Sequence, residues 1–425
     1  MQTAAKPGYL TRLATQGPQE TIPESMSDLA DLLAAFDRSE LVRPSSNALN
    51  IVDLSRAVAG LCGARDVEPT PGSNEVAGLI GPSEHLVFVL VDGLGMSLIE
   101  PLDPDSFLKR NLATSLTTVF PSSSAAAITS LASGEWPSVH GVTGRWTYFP
   151  EASAVGEVLP FVVRGNGQSL SAAGLTPDQA FLAPSLLPRM TRDVFSLFPE
   201  HLWSSVYSEY FTGGTPKAAY RSLPEGINQV VERVASANVP TYTYLYTPRV
   251  DDMAHELGSG QEQVKATVRN LDGELERLAN SLEEQARLVV CADHGFLDAP
   301  RSFRSQMNAT EEITSGLKAA PSGDARVLYF DVRDGFQDRF QGYLRERFGQ
   351  QFMVVTTDEA ESLGLLGPGP LSSQTRKRVG DILAISRGAG VLEYRPDGKA
   401  GRIANSASHH SGLTPSEMRV PLVVA

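Results

Sequence analysis

Cys62 and Cys291 are the only cysteines in 425 residues, which argues against a disulfide framework and for a reducing compartment. Cys291 sits inside the apolar run 288–292, where a thiol behaves as a small buried hydrophobe. Long apolar runs are also missing, since none approaches the roughly 20 residues that a membrane-spanning helix needs. Met1 to Glu20 holds basic residues but no apolar core of signal-peptide length. Basic charge is in deficit too: 36 Lys and Arg stand against 49 Asp and Glu, a formal charge of −13. A nonspecific grip on duplex nucleic acid needs clustered Lys and Arg, so that class of partner is set aside. Together these absences predict a cytoplasmic protein with neither a membrane nor a nucleic-acid duplex as partner.

What remains is the composition of a globular enzyme, 41% hydrophobic and 20% charged. The length exceeds the usual single core and implies one large domain with insertions, or two domains. Residues 1 to about 25 read as an arm. Helical patterns follow over 27–36 and over 49–61, the second with Ile51, Leu54, Val58 and Leu61 on one face. Pro69 to Asn74 reads as a linker or exposed loop. From about residue 86, apolar strands alternate with helices, the pattern of an α/β layer fold. Strands are predicted at 86–91, 115–119, 240–246, 287–292, 327–331, 381–385 and 420–424, and helices at 124–133, 222–236, 260–284 and 335–347. The 124–133 helix has Ser before it, Gly134 at its end and Pro137 beyond, a coherent start and stop. Arg145 to Thr215 shows no clean period and reads as an insertion over a site; 297–400 mixes core strands with a second insertion. The predicted division is therefore an arm and helical segment over 1–80, then one catalytic domain over 81–425 with insertions at about 145–215 and 297–400.

Chemistry-bearing residues gather at the ends of the predicted strands. Asp92-Gly93 follows the run 86–91, Asp251 and His255 follow 242–246, Asp293-His294-Gly295 follows 288–292, and His410 precedes 420–425. Carboxylates and imidazoles in such places converge at the carboxyl edge of a parallel sheet, and here they can serve two metal ions. Asp251 and Asp252 compete for one role, and the four-residue spacing to His255 puts Asp251 on the same side of a helical turn. Of His409 and His410, one is a ligand. His140 reads as a packed, hydrogen-bonded residue, and His85 and His201 receive no role. Ser122, Ser123 and Ser124 open the 124–133 helix, where unpaired N–H groups favour an anion. They could be a simple N-cap cluster, but beside so many candidate ligands a hydroxyl nucleophile is the better reading. Two metals and a hydroxyl point to phosphoryl chemistry.

At these residues the chain resembles the alkaline phosphatase superfamily, most closely its nucleotide pyrophosphatase/phosphodiesterase branch. The resemblance covers about residues 85–150, 240–300 and 405–425. That family places its Thr or Ser nucleophile three residues after a proline and ten before a helix-ending glycine, spacings kept by Pro121, Ser124 and Gly134. Its Pro-x-x-His-Gly element matches Pro137 to Gly141, its Asp-x-x-x-His matches Asp251 to His255, and its Asp-His-Gly matches Asp293 to Gly295. Its late His, shortly before a Met and the last core strand, matches His410, with Met418 following.

The resemblance implies a three-layer sandwich with a mostly parallel central sheet flanked by helices. It implies one metal on Asp251, His255 and His410, and another on Asp92, Asp293, His294 and the Ser124 oxygen. The ions implied are zinc, with manganese as the alternative. The implied activity is a phosphodiesterase or nucleotide pyrophosphatase acting through a seryl-phosphoryl or seryl-nucleotidyl intermediate on a small phosphate ester or nucleotide. Alternatives are a phosphate-monoester or phosphonate hydrolase, and a nucleotide-binding member without turnover. Two positions depart from the diesterase pattern. Ser124 stands for threonine, as in phosphatase members, and Arg145 occupies the place of a phosphate-binding asparagine. A forked guanidinium that stabilises the transferred phosphoryl group there would favour a monoester or phosphonate, and a loop arginine paired with a surface carboxylate is the equal alternative. The Cys- or Ser-x-Pro-x-Arg element of sulfatases is absent near Ser124.

Overall fold

The computed structural model describes residues 28–283, 285–396 and 406–425; the arm expected over residues 1 to about 25 lies outside them. Seven strands form the main sheet, in the spatial order Leu112–Thr117, Arg419–Val424, Ala286–Cys291, His85–Val91, Thr241–Thr247, Asp193–Pro199 and Lys217–Tyr220. Arg419–Val424 runs antiparallel to both neighbours, while every other pairing is parallel. All residues of His85–Val91 and Thr241–Thr247 are buried. Such strands are covered on both faces, which is why 86–91 is a continuous apolar run and why the threonines of Thr241–Thr247 are buried as fully as its tyrosines. One covering layer contains Ile51–Leu61, Ser124–Ser133 and Val206–Thr212; the other contains Leu223–Ser236, Arg249–Leu257 and Glu262–Leu282. This is the α/β sandwich with a mostly parallel central sheet that the resemblance implied.

A second sheet of seven strands is antiparallel throughout, in the order Phe352–Thr356, Ile382–Ser386, Val327–Phe330, Ser322–Asp324, Trp146–Phe149, Ala154–Glu157 and Val162–Val163. Residues 146–163 and 322–386, far apart in the chain, thus share one sheet. Helix Asp28–Asp37 packs beside Phe352–Thr356, where Asp28 accepts from Arg345 and from the Val354 N–H.

The predicted strands and the four long helices are all present, with ends shifted by a few residues. The linker expected at Pro69 to Asn74 is instead the start of helix Pro71–Ile80. Thr70 caps it, its hydroxyl accepting the Ser73 N–H at 2.9 Å, and Pro71 occupies the first helical position, where proline is welcome. Pro and Gly marked a helix start there, not a loop. Strands Asp193–Pro199 and Phe352–Thr356 had no expected counterpart; mostly buried, they lack the two-residue alternation that betrays a strand. Among the described residues no helix is long and apolar enough to cross a membrane.

One fully buried ion pair joins the second sheet to the main one. Arg326, just before Val327–Phe330, donates to Glu417 through Nε at 2.5 Å and Nη2 at 2.9 Å, and to the Gly390 carbonyl through Nη1 at 3.0 Å. Glu417 also accepts the Gly412 N–H at 2.8 Å, and its carbonyl accepts the Gly295 N–H at 2.8 Å. Removing one partner leaves a buried charge uncompensated, so Arg326→Met is expected to cost about 3–5 kcal/mol. Chemical denaturation of both proteins measures it, and a midpoint unchanged from the parent chain contradicts the assignment.

Candidate metal centre

Four chain segments reach the same edge of the main sheet. Strands His85–Val91, Thr241–Thr247 and Ala286–Cys291 are parallel neighbours, so the residues after their carboxyl ends share one side. Arg419–Val424 runs the other way and therefore begins there, which brings the preceding His410 to the same place. Two motif glycines allow the close approach. A Cβ on Gly93, whose φ is +76°, would fall 2.3 Å from the Phe296 ring and 3.3 Å from the Asp251 Cα; one on Gly295 would fall 2.1 Å from the Ser416 carbonyl oxygen.

Of the three serines at the helix start, only Ser124 faces the cluster. Its Oγ lies 3.0 Å from His294 Nε2 and 3.4 Å from Asp92 Oδ1. The Ser122 hydroxyl donates to the Gly412 carbonyl at 2.7 Å and accepts the Ser411 N–H at 3.1 Å, stitching the His410 loop to the helix. Ser123 is the N-cap in extended conformation, yet its hydroxyl makes no capping bond. The first N–H groups of Ser124–Ser133 are therefore left for an anion at the helix N-terminus.

The three imidazoles share one arrangement. Nδ1 of His255 bonds the Ser408 carbonyl at 2.9 Å, that of His294 the Gly295 carbonyl at 3.1 Å, and that of His410 the Ser122 carbonyl at 3.1 Å. A carbonyl only accepts, so each Nδ1 carries a proton, and a ring that holds no second proton presents a bare Nε2. That is the tautomer of a metal-binding histidine. His294 and His410 stack at 3.8 Å between centroids, and the Phe296 ring stands edge-on to His255 and His294 at 5.4 Å and to His410 at 5.8 Å.

Three carboxylates complete the cluster. Asp92 Oδ2 accepts the Tyr246 hydroxyl at 2.5 Å, and its Oδ1 lies 3.3 Å from His294 Nε2. Asp293 Oδ1 accepts the N–H groups of Gly93 and His294, both at 3.0 Å. Asp251 Oδ1 lies 3.4 Å from His255 Nε2 and 4.0 Å from His294 Nε2. Asp251 Oδ1 and Asp293 Oδ2 are buried without a hydrogen-bond partner, a costly condition for a carboxylate oxygen and one that a cation relieves. Burial, then the charge of Asp92, pushes Asp251 and Asp293 well above the usual carboxylate range. Burial presses Asp92 the same way, but hydrogen bonding and charge from His294, with the Tyr246 hydroxyl, hold it below that range. Two triples have ligand atoms close enough to share an ion: Asp92, Asp293 and His294, and Asp251, His294 and His410. His294 belongs to both, whereas the resemblance gave His255 the third place in the second.

The remaining singled-out residues lie around this centre. Arg145 is held by Glu157, with Nε at 2.8 Å and Nη2 at 2.5 Å from Oε1, and its charge is still felt at Asp251 and His255. Asp252 is exposed. His409 is buried beside His410 on strand Ser408–His409, and burial pushes it down to about 3. His140 is fully buried, with Nε2 2.9 Å from the Ser130 hydroxyl and Nδ1 accepting the Val142 N–H, the packed role expected of it. Cys62 and Cys291 are buried and free. Sequence reasoning passed over Tyr246 and Phe296. Tyr246 is the last tyrosine of a strand whose register sets it against Leu90, two residues before Asp92, and Phe296 directly follows Asp-His-Gly. Their place at strand ends beside motif residues was the available signal.

A family model described as type I phosphodiesterase / nucleotide pyrophosphatase matches residues 86–411. Among solved structures, murine ectonucleotide pyrophosphatase / phosphodiesterase 5 is similar with a TM-score of 0.60 at 14% identity, over 79% of this chain and 87% of that one. Its human counterpart gives 0.60 at 14% over 80% and 87%. An inactive form of the murine protein in complex with AMP gives 0.59 at 14% over 79% and 87%. No curated protein matches the chain by sequence. At this identity the solved structures bear on the fold, and the family model bears on the chemistry. The chain belongs to the type I phosphodiesterase / nucleotide pyrophosphatase family of the alkaline phosphatase superfamily, and it is a phosphoric ester hydrolase.

Proposed function

We propose that the chain cleaves a phosphodiester or pyrophosphate bond of a small nucleotide-like substrate, with Ser124 as nucleophile and two divalent cations in the acidic cluster. The observation that carries this reading is the meeting of the Ser124 hydroxyl with Asp92 and His294 at an uncapped helix N-terminus. Asp251, His255 and His410 would hold one cation; Asp92, Asp293, His294 and the Ser124 oxygen would hold the other. The mixed imidazole and carboxylate set suits zinc, with manganese as the alternative. When bound, such cations supply Lewis-acid charge that favours ionisation of the serine and offsets charge on the phosphoryl oxygens.

Ser124 Oγ attacks phosphorus in line, and its proton departs with the leaving oxygen as that bond breaks, forming a seryl-phosphoryl or seryl-nucleotidyl ester. Water then attacks the same phosphorus, and one of its protons returns to Ser124 Oγ as the serine is released. The Ala125 N–H and Arg145 are the groups assigned to the non-bridging oxygens. Arg145 also bears on the ester class. A monoester carries about 1.5 to 2 negative charges at neutral pH and a diester one. Because Glu157 offsets the Arg145 charge, the pair supports the singly charged diester over the monoester or phosphonate. A nucleotide is the first substrate to test, since the murine relative was captured with AMP. A cytoplasmic setting belongs to the same proposal, on the ground that the sequence has only two cysteines.

Ser124→Ala is expected to lower kcat by about 10³-fold or more in steady-state assays; near-full turnover overturns the nucleophile. In kcat/KM, bis-p-nitrophenyl phosphate is expected to exceed p-nitrophenyl phosphate, and a reversed order favours the monoesterase reading. Cation binding should also depend on pH. Burial opposes charge on His294, but Asp293, Asp92 and Asp251 raise it to about 10, so the ring is protonated at neutral pH until a cation displaces the proton. Affinity then rises with pH up to that value, by about tenfold per unit for one displaced proton. Chelator competition at pH 6 and pH 8 measures this, and equal affinities contradict it.

A further inference from the structure

Around the candidate centre, one carboxylate outside the cluster binds two of the chain segments that carry its ligands. Asp298 ends the short strand Leu297–Asp298, which pairs antiparallel with Ser408–His409. Its Oδ1 accepts the Ser259 N–H and the Ser259 hydroxyl, both at 2.8 Å, and also the Ser408 hydroxyl. Its Oδ2 accepts the Gly260 N–H at 3.3 Å, and the Ser259 N–H reaches the Ser408 Oγ at 2.6 Å. Ser408 is fully buried, and its carbonyl is the group that holds His255 Nδ1. Next to it, the Ala407 N–H donates to the His255 carbonyl at 2.7 Å.

Three ligand-bearing segments therefore meet on this one side chain. Ser259 and Gly260 form the turn after helix Arg249–Leu257, which carries Asp251 and His255. Ser408 lies two residues before His410, and Asp298 itself lies four residues after His294. We propose that Asp298 is a positioning residue, clamping the helix turn and the Ser408 strand so that His255 and His410 present their Nε2 atoms to one cation. Nothing in its environment makes it a ligand: both of its oxygens are engaged by serine hydroxyls and N–H groups. The inference rests on the two-cation reading above and adds to it the residue that sets the geometry of one half.

Loss of a hydrogen-bonded residue behind metal ligands weakens metal affinity by roughly 10- to 100-fold. The test uses the full chain loaded with zinc, dialysed at limiting zinc and measured by elemental analysis beside the hydrolysis assay. The parent chain is expected to keep two ions. Asp298→Ala is expected to keep one and to regain both ion and activity when zinc is raised. Asp298→Asn, which preserves an acceptor oxygen for Ser259 and Ser408, is expected to recover most of the lost affinity, a rescue that gross damage to the fold does not show. Should Asp298→Ala fail to fold, Ser408→Ala carries the same test, because it removes one of the clamp's partners and keeps the carbonyl that holds His255. Two equally tight ions in the parent and in the variant overturn the clamp alone. A parent chain that binds no zinc overturns the two-cation reading, and the clamp with it.

Discussion

Asp92, Asp251 and Asp293 are three carboxylates gathered at one sheet edge, and like charges this close resist being buried together. Protein groups answer only part of the charge. Asp92 has the Tyr246 hydroxyl and His294, and Asp293 has two N–H groups on one oxygen. Asp251 Oδ1 and Asp293 Oδ2 accept no hydrogen bond. The rest of the architecture keeps these groups from moving apart. Parallel strands deliver them to one edge, bare glycines let the turns interlock, and the Arg326–Glu417 pair pins the His410 loop against Gly295.

Anchoring the imidazoles through main-chain carbonyls fits the same logic. A carbonyl in a packed turn has no rotamer to lose and no proton to exchange, so it fixes both ring orientation and tautomer. The three carbonyls belong to Ser122, Gly295 and Ser408, each in a segment that also carries, or directly adjoins, a residue of the cluster. Ser122 is the clearest case. Its carbonyl aims His410 while its chain continues two residues to Ser124, so the nucleophile helix and the late histidine cannot shift independently.

Much of this was legible in the sequence because strand ends are. Asp92 and Asp293 directly follow uninterrupted apolar runs, and Asp251 comes shortly after a tyrosine-rich one; runs of that kind locate a sheet edge without any knowledge of pairing. His410 required knowing that the last strand is reversed, which follows from its place beside Ala286–Cys291 and not from its composition. The carbonyl partners were invisible, since every residue has a carbonyl and only the folded turn selects which one is used. Tyr246 was hidden inside an aromatic run where each tyrosine resembled the next. The Pro69 to Asn74 stretch misled for a related reason: Pro and Gly serve both loops and helix starts, and the capping hydroxyl of Thr70 decided between them. Arg145 could be numbered from sequence, but its attachment to Glu157 depends on the hairpin of Trp146–Phe149 and Ala154–Glu157.

The antiparallel sheet has a consequence for how such enzymes can be remade. Its strands come from two stretches separated by most of the main sheet, and they meet where Ser322–Asp324 joins Trp146–Phe149 through the single register pair Gly323 and Trp146. A cassette cut from either stretch alone would carry half a sheet and expose a raw strand edge on both donor and recipient. Recombination that alters this layer must move both halves at once, and any chimera that divides them inherits an adhesive border beside its catalytic face.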